Sequence, residues 1–516
     1  MPSIEVDIDT DDQNDLGDIE ADETARHEFQ NDYLLDKFRS QMLPSFPFMH
    51  LPDTITAQTL ETEWPVLFSA VVFVASASAG KGGRGRIMKR LICESLLDFD
   101  HTPTNMKRIG LLLAILTYLT WGYDHIFYND SMPRLTTQAV SLATEIIQSD
   151  YADSGSLMEP AAQLFGHDRL RDASATTRHD FLLDRRRAIL GCFVLNSAVS
   201  TYFGRINTFQ WTTQMEESLA AIRANKDCPS DGEFSLLIRL QLVGEKASQV
   251  LLRQKMKHQN SIGEAATSPG IVSLMSLRSE LQGLGSALPP QVADRRMVMA
   301  QVYSTESQLG KITHAISSTV PVMTNQFERM LASMSAGEST VDDTSKTKTA
   351  RSDQIINLWQ CLQSSRNCVL ALLDWESGKF CHMSFLQWSQ LAQSVAFLHH
   401  LTHTIEDQGW DRETVRARVH MPEILDCIIK KLQSVTETSE PGDCGNTVSH
   451  LIQKMIELRT SVTDHDTKQH TTQREADAAW ERLQTNEGGR GASPCDVTRL
   501  DDTFRRTRGP FDYVFE

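Results

Sequence analysis

Residues 106–121 read MKRIGLLLAILTYLTW and residues 185–195 read RRRAILGCFVL. From Ile109 to Trp121 the first run is apolar nearly all round, with no polar stripe to turn to water. A helix with that pattern is a buried one. Ala188 to Leu195 repeats the pattern just after three arginines, and marks a second central helix. Two such helices need covering by other elements, and the sequence on either side supplies them.

Leu34, Phe38 and Met42 recur every four residues, and Pro44 stops that helix. Pro65 stands where a first helical turn favours proline, and leads Val66 to Ser76. Further helices are predicted over Met88 to Leu97, Arg134 to Ser149, Phe181 to Phe203, Trp211 to Ala224, Ser230 to Lys257, Val272 to Leu288 and Gln291 to Met334. Pro321 predicts a break or kink in the last. Beyond an apolar-poor stretch, one face carries Leu358, Leu362, Val369 and Leu373, and another carries Phe385, Trp388, Ala392, Val395 and Leu398. Glu423 to Val435 and Thr447 to Val462 are the last helices, joined by a turn over Glu437 to Asn446. Helix follows helix with no βαβ alternation, so the fold class is all-α. The division expected is an acidic disordered tail (1–24), a helical domain (25–334), an exposed linker (335–352), a helical continuation packed on the same core (353–462), and a mostly disordered polar tail (463–516).

The chain has 516 residues, of which 40% are hydrophobic and 23% charged, enough apolar material for a large core. Its formal net charge of -17 argues against broad capture of phosphate backbones. Residues 1–24 hold ten acids and no Lys or Arg, so this segment repels itself and lacks the surface to offset its ordering entropy. The nine cysteines are scattered and form no CxxC, which excludes a disulfide framework and a zinc ribbon. The first residues lack an apolar core for a signal peptide, and the longest apolar runs fall short of the ~20 residues that span a bilayer. A reduced compartment and no membrane partner are expected.

Several patterns raise chemistry and meet a simpler reading. Gly80 to Gly85 matches G-x-G-x-x-G, but no strand or βαβ unit surrounds it, so a helix–helix loop is the simpler reading. The basic run Lys81, Arg84, Arg86, Lys89 and Arg90 is a candidate nuclear import signal. Asp11, Asp12 and Asp15 match the DDxxD pattern by which all-α prenyl and terpene synthases hold magnesium and diphosphate. The match lies inside the acid-rich tail, where chance produces it readily. His399 and His403 could share a helix face and grip a metal, yet no HExxH accompanies them, and ordinary helix-face histidines explain them. Cys361 and Cys368 read as small core residues. Arg185, Arg186 and Arg187 read as a helix start whose arginines pair with carboxylates or cover neighbouring helices. Phe504, Phe511, Tyr513 and Phe515 stand among acids near the C-terminus, as candidate anchors for a coactivator groove or for the chain's own core.

From about Tyr33 to Ala247 the order of short pieces resembles the middle homology region of fungal binuclear zinc-cluster transcription factors. The pieces are Phe46-Pro47-Phe48 with Pro52, Trp64-Pro65 leading to Val74-Ala75-Ser76, Leu111 to Leu113 through Tyr118, and Trp121-Gly122. Then come Arg185-Arg186-Arg187-Ala188 with Gly191 to Leu195, Trp211, Met215-Glu216-Glu217, Ser230-Asp231 and Leu237 to Gln241. The resemblance implies a helical regulatory domain of a nuclear transcription regulator, often controlling a biosynthetic or metabolic gene cluster. It also implies protein partners in the transcription machinery, and a homo- or heterodimer with a DNA-binding regulator. Family members carry six zinc-holding cysteines and a basic segment near the N-terminus. This chain has no cysteine before Cys93. The expectation is a co-regulator without its own DNA-reading element, or an incomplete form of a longer protein, with zinc a cofactor only in the latter case. No catalytic, metal or DNA-binding residue is assigned. The alternatives are a magnesium-dependent synthase using the three N-terminal aspartates, and a helical scaffold outside transcription.

Overall fold

A computed structural model of the protein describes residues 29–76, 82–97, 105–122, 131–155, 175–204, 209–225, 228–260, 269–286, 295–334, 343–380, 382–403, 405, 409–438 and 448–464. Among them there are helices and no strand. The described residues fall into two compact units. The first comprises the described residues within 29–122, 131–242 and 382–386, and the second those within 243–380 and 387–464.

The first unit opens with helix α1 (29–37), which passes into a π turn at Phe38–Met42 and a 3-10 turn at Leu43–Ser45. Pro44 sits in the first turn of that 3-10 helix, where a missing N–H costs nothing, and the α-helix ends before it. Thr56 caps α2 (Ala57–Glu63), accepting a hydrogen bond from the Thr59 N–H at 3.2 Å. Pro65 is the first residue of α3 (Pro65–Ala75). Then follow α4 (Gly82–Leu97), α5 (Asn105–Trp121), α6 (Met132–Gly155), α7 (Ala175–Tyr202), α8 (Thr213–Ala224) and α9 (Asp231–Asn260).

Helix α5 is the axis of this unit: every residue from Ile109 to Trp121 is buried. Helices α3, α4, α6 and α7 pack on it, and α8 packs on α7. Aromatic rings fill the space between. Phe38 meets Trp121 edge to face at 5.1 Å, Phe48 stacks on Trp121 at 5.9 Å, and Phe46 lies 5.0 Å from Phe48 and 6.1 Å from Phe234. Such contacts add ~0.5–1.5 kcal/mol each beyond the area they bury.

The second unit holds α10 (Pro269–Ser286), α11 (Arg295–Met334), α12 (Asp343–Leu373), α13 (Phe385–His403), α14 (Arg412–Val419), α15 (Met421–Thr438) and α16 (448–464). Helix α11 lies along α12 and against α10, and α12 also meets α15.

Three expectations are corrected. Gly82, Gly83 and Gly85 lie in α4, not in a loop. Residues 343–352, expected in the linker, are the first turns of α12, and 335–342 lie outside the described residues. Helix α11 runs through Pro321 without a break: a proline removes one backbone hydrogen bond, and the turns on both sides persist. The two compact units divide inside α9, between Leu242 and Val243. The physical reason is a set of pairings far apart in sequence, such as Gln308 Nε2 to Ser248 Oγ at 3.1 Å and Arg278 Nη2 to Asn357 Oδ1 at 2.9 Å. The acidic tail 1–24 and residues 465–516 lie outside the described residues.

Candidate functional site

Among the described residues each unit sets buried polar groups in an apolar core. In the first, Arg187 projects from the middle of α7, not from its start as expected, since α7 begins at Ala175. Arg187 is 2% exposed and Asp231 1%. The guanidinium donates from Nε to Asp231 Oδ1 and from Nη2 to Asp231 Oδ2, both at 2.8 Å, and from Nη1 to Asp184 Oδ1 at 2.8 Å. A two-point fork of this kind fixes direction as well as distance. Asp231 is also the first residue of α9, where a carboxylate faces the positive end of the helix dipole. Burial by itself would lower the Arg187 pKa. The hydrogen bond and charge of Asp231, then the charges of Asp184 and Cys228, overcome it and hold the guanidinium above its ordinary value. Arg185 is buried too, and donates from Nη2 to the Ile146 carbonyl at 2.7 Å. Arg185 and Arg187 thus bind the chain to itself and are not displayed to a phosphate, while Arg186 is half-buried.

Beside this lock, Cys228 Sγ lies 3.3 Å from His50 Nδ1 and 3.1 Å from Ser230 Oγ. A thiol within reach of an imidazole is the geometry of a nucleophile and its base. Here the thiol is 5% exposed and its surroundings are the Arg187–Asp231 pair. The pair therefore reads as a wall of the polar centre. Sequence reasoning missed it because its partners stand 178 residues apart. Cys192, on the apolar run of α7, has its thiol pushed up by burial and is inert.

Most pieces that carry the family resemblance contribute to the apolar core of the same unit. Gly191 lets α7 approach Phe48 so closely that an added Cβ would lie 2.5 Å from the Phe48 Cβ. Phe193 meets Trp211 edge to face at 4.9 Å. Gly110 of α5 leaves room for Trp64, whose ring atoms would lie 3.7 Å from an added Cβ.

The second centre lies where α11, α12 and α13 meet. The Lys311 ammonium stands 4.3 Å from the centroid of the Phe397 ring. Burial lowers its pKa to about 8, partly opposed by Cys361 and Cys368. Burial likewise pushes the Cys361 thiol up to about 12 and the Cys368 thiol up to about 11. Both cysteines are buried, as the reading of small core residues expects. Ser307 and Ser365 share a hydrogen bond at 2.7 Å, Ser364 donates to Glu306 at 2.8 Å, and Asn357 donates to the Gly310 carbonyl at 2.9 Å. The His399 and His403 rings do face one way, stacked 4.5 Å apart, with Thr402 Oγ1 2.7 Å from His403 Nδ1. Among the described residues no group of three or more His, Cys, Asp or Glu side chains could hold a metal ion.

Of the candidate import residues, Arg86 and Arg90 are exposed on α4, Lys89 is half-buried, Arg84 is helical, and Lys81 lies outside the described residues. Asp11, Asp12, Asp15, Phe504, Phe511, Tyr513 and Phe515 also lie outside them. Among the described residues no helix is long and apolar enough to cross a membrane.

A transcription factor of Aspergillus terreus is 25% identical over 428 residues, 82% of this chain and 59% of its own length. Transcription factor opdL of Penicillium oxalicum is 24% identical over 428 residues, 82% of this chain and 67% of its own. The chain is a distant homologue of fungal transcription factors. Transcription factor himD of Aspergillus japonicus is 24% identical over 297 residues, 54% of this chain and 44% of its own. The family described as ATEG07667_C, C-terminal domain, matches residues 377–504, most of which belong to the second unit. The chain therefore spans about three fifths of the length of the Aspergillus terreus relative. No solved structure matches it.

Proposed function

We propose that this protein is a non-catalytic transcription regulator acting in the nucleus, and that its first unit is a regulatory domain of the zinc-cluster type. It works through protein contacts, with the transcription machinery and with a DNA-binding regulator, on a biosynthetic or metabolic gene cluster of a fungus. One observation carries the reading. Phe46, Phe48, Trp64, Trp121, Gly191, Phe193, Trp211 and Asp231, each from a piece of the family resemblance, are spread over 186 positions of sequence and belong to one packed unit. Shared order in sequence then has a physical cause, since these residues close one core.

The second support is that the relatives named as transcription factors align over 82% of the chain, across both units. The buried, engaged state of Arg187 and Cys228 supports the non-catalytic part, because both are hydrogen-bonded inside the protein. Tethering tests the reading. The full chain fused to an unrelated DNA-binding domain is expected to change transcription from a reporter carrying that domain's site, up or down, by several-fold. A fusion that is folded, bound at the site and without effect on the reporter contradicts it.

A further inference from the structure

Lys311 of α11 holds a positive charge where its neighbours supply no negative one. The residue is half-buried, and its ammonium faces the Phe397 ring of α13 at 4.3 Å from the centroid. Among the described residues it makes no ion pair or hydrogen bond, and the ionisable groups that act on it are the Cys361 and Cys368 thiols. A ring face offsets only part of the hydration that a buried ammonium gives up. Two histidines extend this positive region. Gln390 of α13 donates to Gln301 of α11, and Phe397 lies against Lys311, so the two helices run in the same direction. One turn beyond the Lys311–Phe397 contact stand His314 on α11 and His400 on α13. The His400 ring stacks with Phe397 at 6.3 Å, and His314 Nδ1 lies 3.5 Å from Gln354 Nε2 of α12. Partial burial, then the charges of His314 and Lys311, hold the His400 pKa below its ordinary value. No carboxylate among the described residues acts on Lys311 or His400.

We propose that Lys311, His314 and His400 form a binding site for the carboxylate of a small organic monoacid. The bound anion supplies the charge that the fold leaves out. The Lys311 ammonium donates to the carboxylate, the imidazoles add N–H donors, and the half-buried Phe397 ring offers an apolar edge to the acid's hydrocarbon part. His400 is exposed, so a solute reaches the cluster from water. One helical turn, ~5.4 Å, separates the level of Lys311 from that of the histidines, which matches the reach of one carboxylate group. A monoanion suits the site better than phosphate. At neutral pH Lys311 is mostly protonated and His400 is neutral, so the site offers little more than one positive charge, and a dianion would remain undercompensated. The site lies wholly within the second unit, and the inference stands apart from the transcriptional reading.

Isothermal titration calorimetry of the full chain tests this, with sodium benzoate and sodium phosphate as probes at neutral pH and constant ionic strength. Benzoate is expected to bind saturably with a Kd of roughly a millimolar or tighter, and phosphate at least ~10-fold more weakly. Lys311→Met keeps the length of the side chain and removes its charge, and is expected to weaken benzoate at least ~10-fold. His400→Gln, at an exposed position that the fold does not depend on, is expected to weaken it about three-fold. A second measurement needs no variant. Acylation of lysines by N-acetoxysuccinimide, read by peptide mass spectrometry, is expected to slow at Lys311 when benzoate is present and to stay unchanged at the exposed Lys430. The absence of saturable benzoate binding overturns the proposal. So does benzoate binding that neither responds to Lys311→Met nor protects Lys311, and so does phosphate binding tighter than benzoate.

Discussion

The two units hold their helices together in different ways. The first is closed by large rings and one charged fork: Phe38, Phe46, Phe48 and Trp121 meet in a cluster, and Arg187 grips Asp231. The second is joined by small residues and neutral amides, with Gly310 under Cys361, Ser307 on Ser365, and Asn357 between Arg278 and the Gly310 carbonyl. An aromatic and arginine core leaves a sequence signature, since few residue types can replace its members. A layer of Ser, Gln, Asn and Gly is harder to pick out in one sequence, although the matching family model covers residues 377–504, mostly in that unit. The family resemblance was therefore visible over the first unit, while the second agreed in helical pattern only.

Breaking the fork is the most damaging change expected. Asp231→Ala strands a buried guanidinium and is expected to destabilise the protein by ~3–5 kcal/mol in chemical denaturation. The double variant R187M/D231L, which removes both charges, is expected to lose much less than D231A alone. Equal losses in the two would show that the site needs shape and not charge.

Two glycines sharpen the contrast at a smaller scale. Gly191→Ala puts a Cβ 2.5 Å from the Phe48 Cβ, and Gly310→Ala puts one 2.0 Å from Cys361 Sγ. Each is expected to cost ~1–3 kcal/mol by overpacking. Cys361→Ala is expected to relieve G310A, because the clashing atom is the one removed. Phe48→Ala cannot relieve G191A in the same way, since emptying a buried aromatic costs ~3–5 kcal/mol itself. Thermal unfolding of the four single variants and two doubles measures both couplings.

Lys311 gives a subtler signature. Its folded pKa of about 8 lies below the ordinary 10.5, so between these values the unfolded chain binds the extra proton. Stability contributed at this site therefore rises with pH from about 8 to 10.5, and is flat on either side. The difference in unfolding free energy between wild type and Lys311→Met, followed across pH 8 to 10.5, is expected to show that rise. A difference independent of pH would place the ammonium in water. The smallest effect concerns labelling. At neutral pH the exposed Cys93 and Cys427 are expected to react with iodoacetamide in the folded protein, read by mass spectrometry. The buried Cys192, Cys361 and Cys368, with raised thiol pKa values, are expected to stay unmodified.

The buried helices were legible because burial is written in composition: Ile109 to Trp121 has no face for water, and all of it is inside. Helix starts were read too late three times. Helix α4 begins at Gly82 and not Met88, α7 at Ala175 and not Phe181, and α12 at Asp343 and not Asp353. Each extra stretch is rich in small or polar residues and carries no apolar stripe. Periodicity cannot register such turns, and per-residue propensities below ~1 kcal/mol decide them only weakly. The polar centres were less legible still. The arginines' pairing with carboxylates was foreseen, but Asp231 stands 44 positions from Arg187 and His50 stands 178 from Cys228. Nothing local marks those partners, because a fork or a thiol contact is a property of the folded chain.

Regulation of transcripts is the function proposed for this helical protein. Genome-wide transcript measurement in the source organism, with the gene intact and deleted, tests that claim most directly. A coordinated several-fold change in a set of neighbouring biosynthetic or metabolic genes is predicted, reproduced by the core-breaking D231A variant. Transcript levels unchanged by deletion, under conditions where the protein is produced, would contradict it.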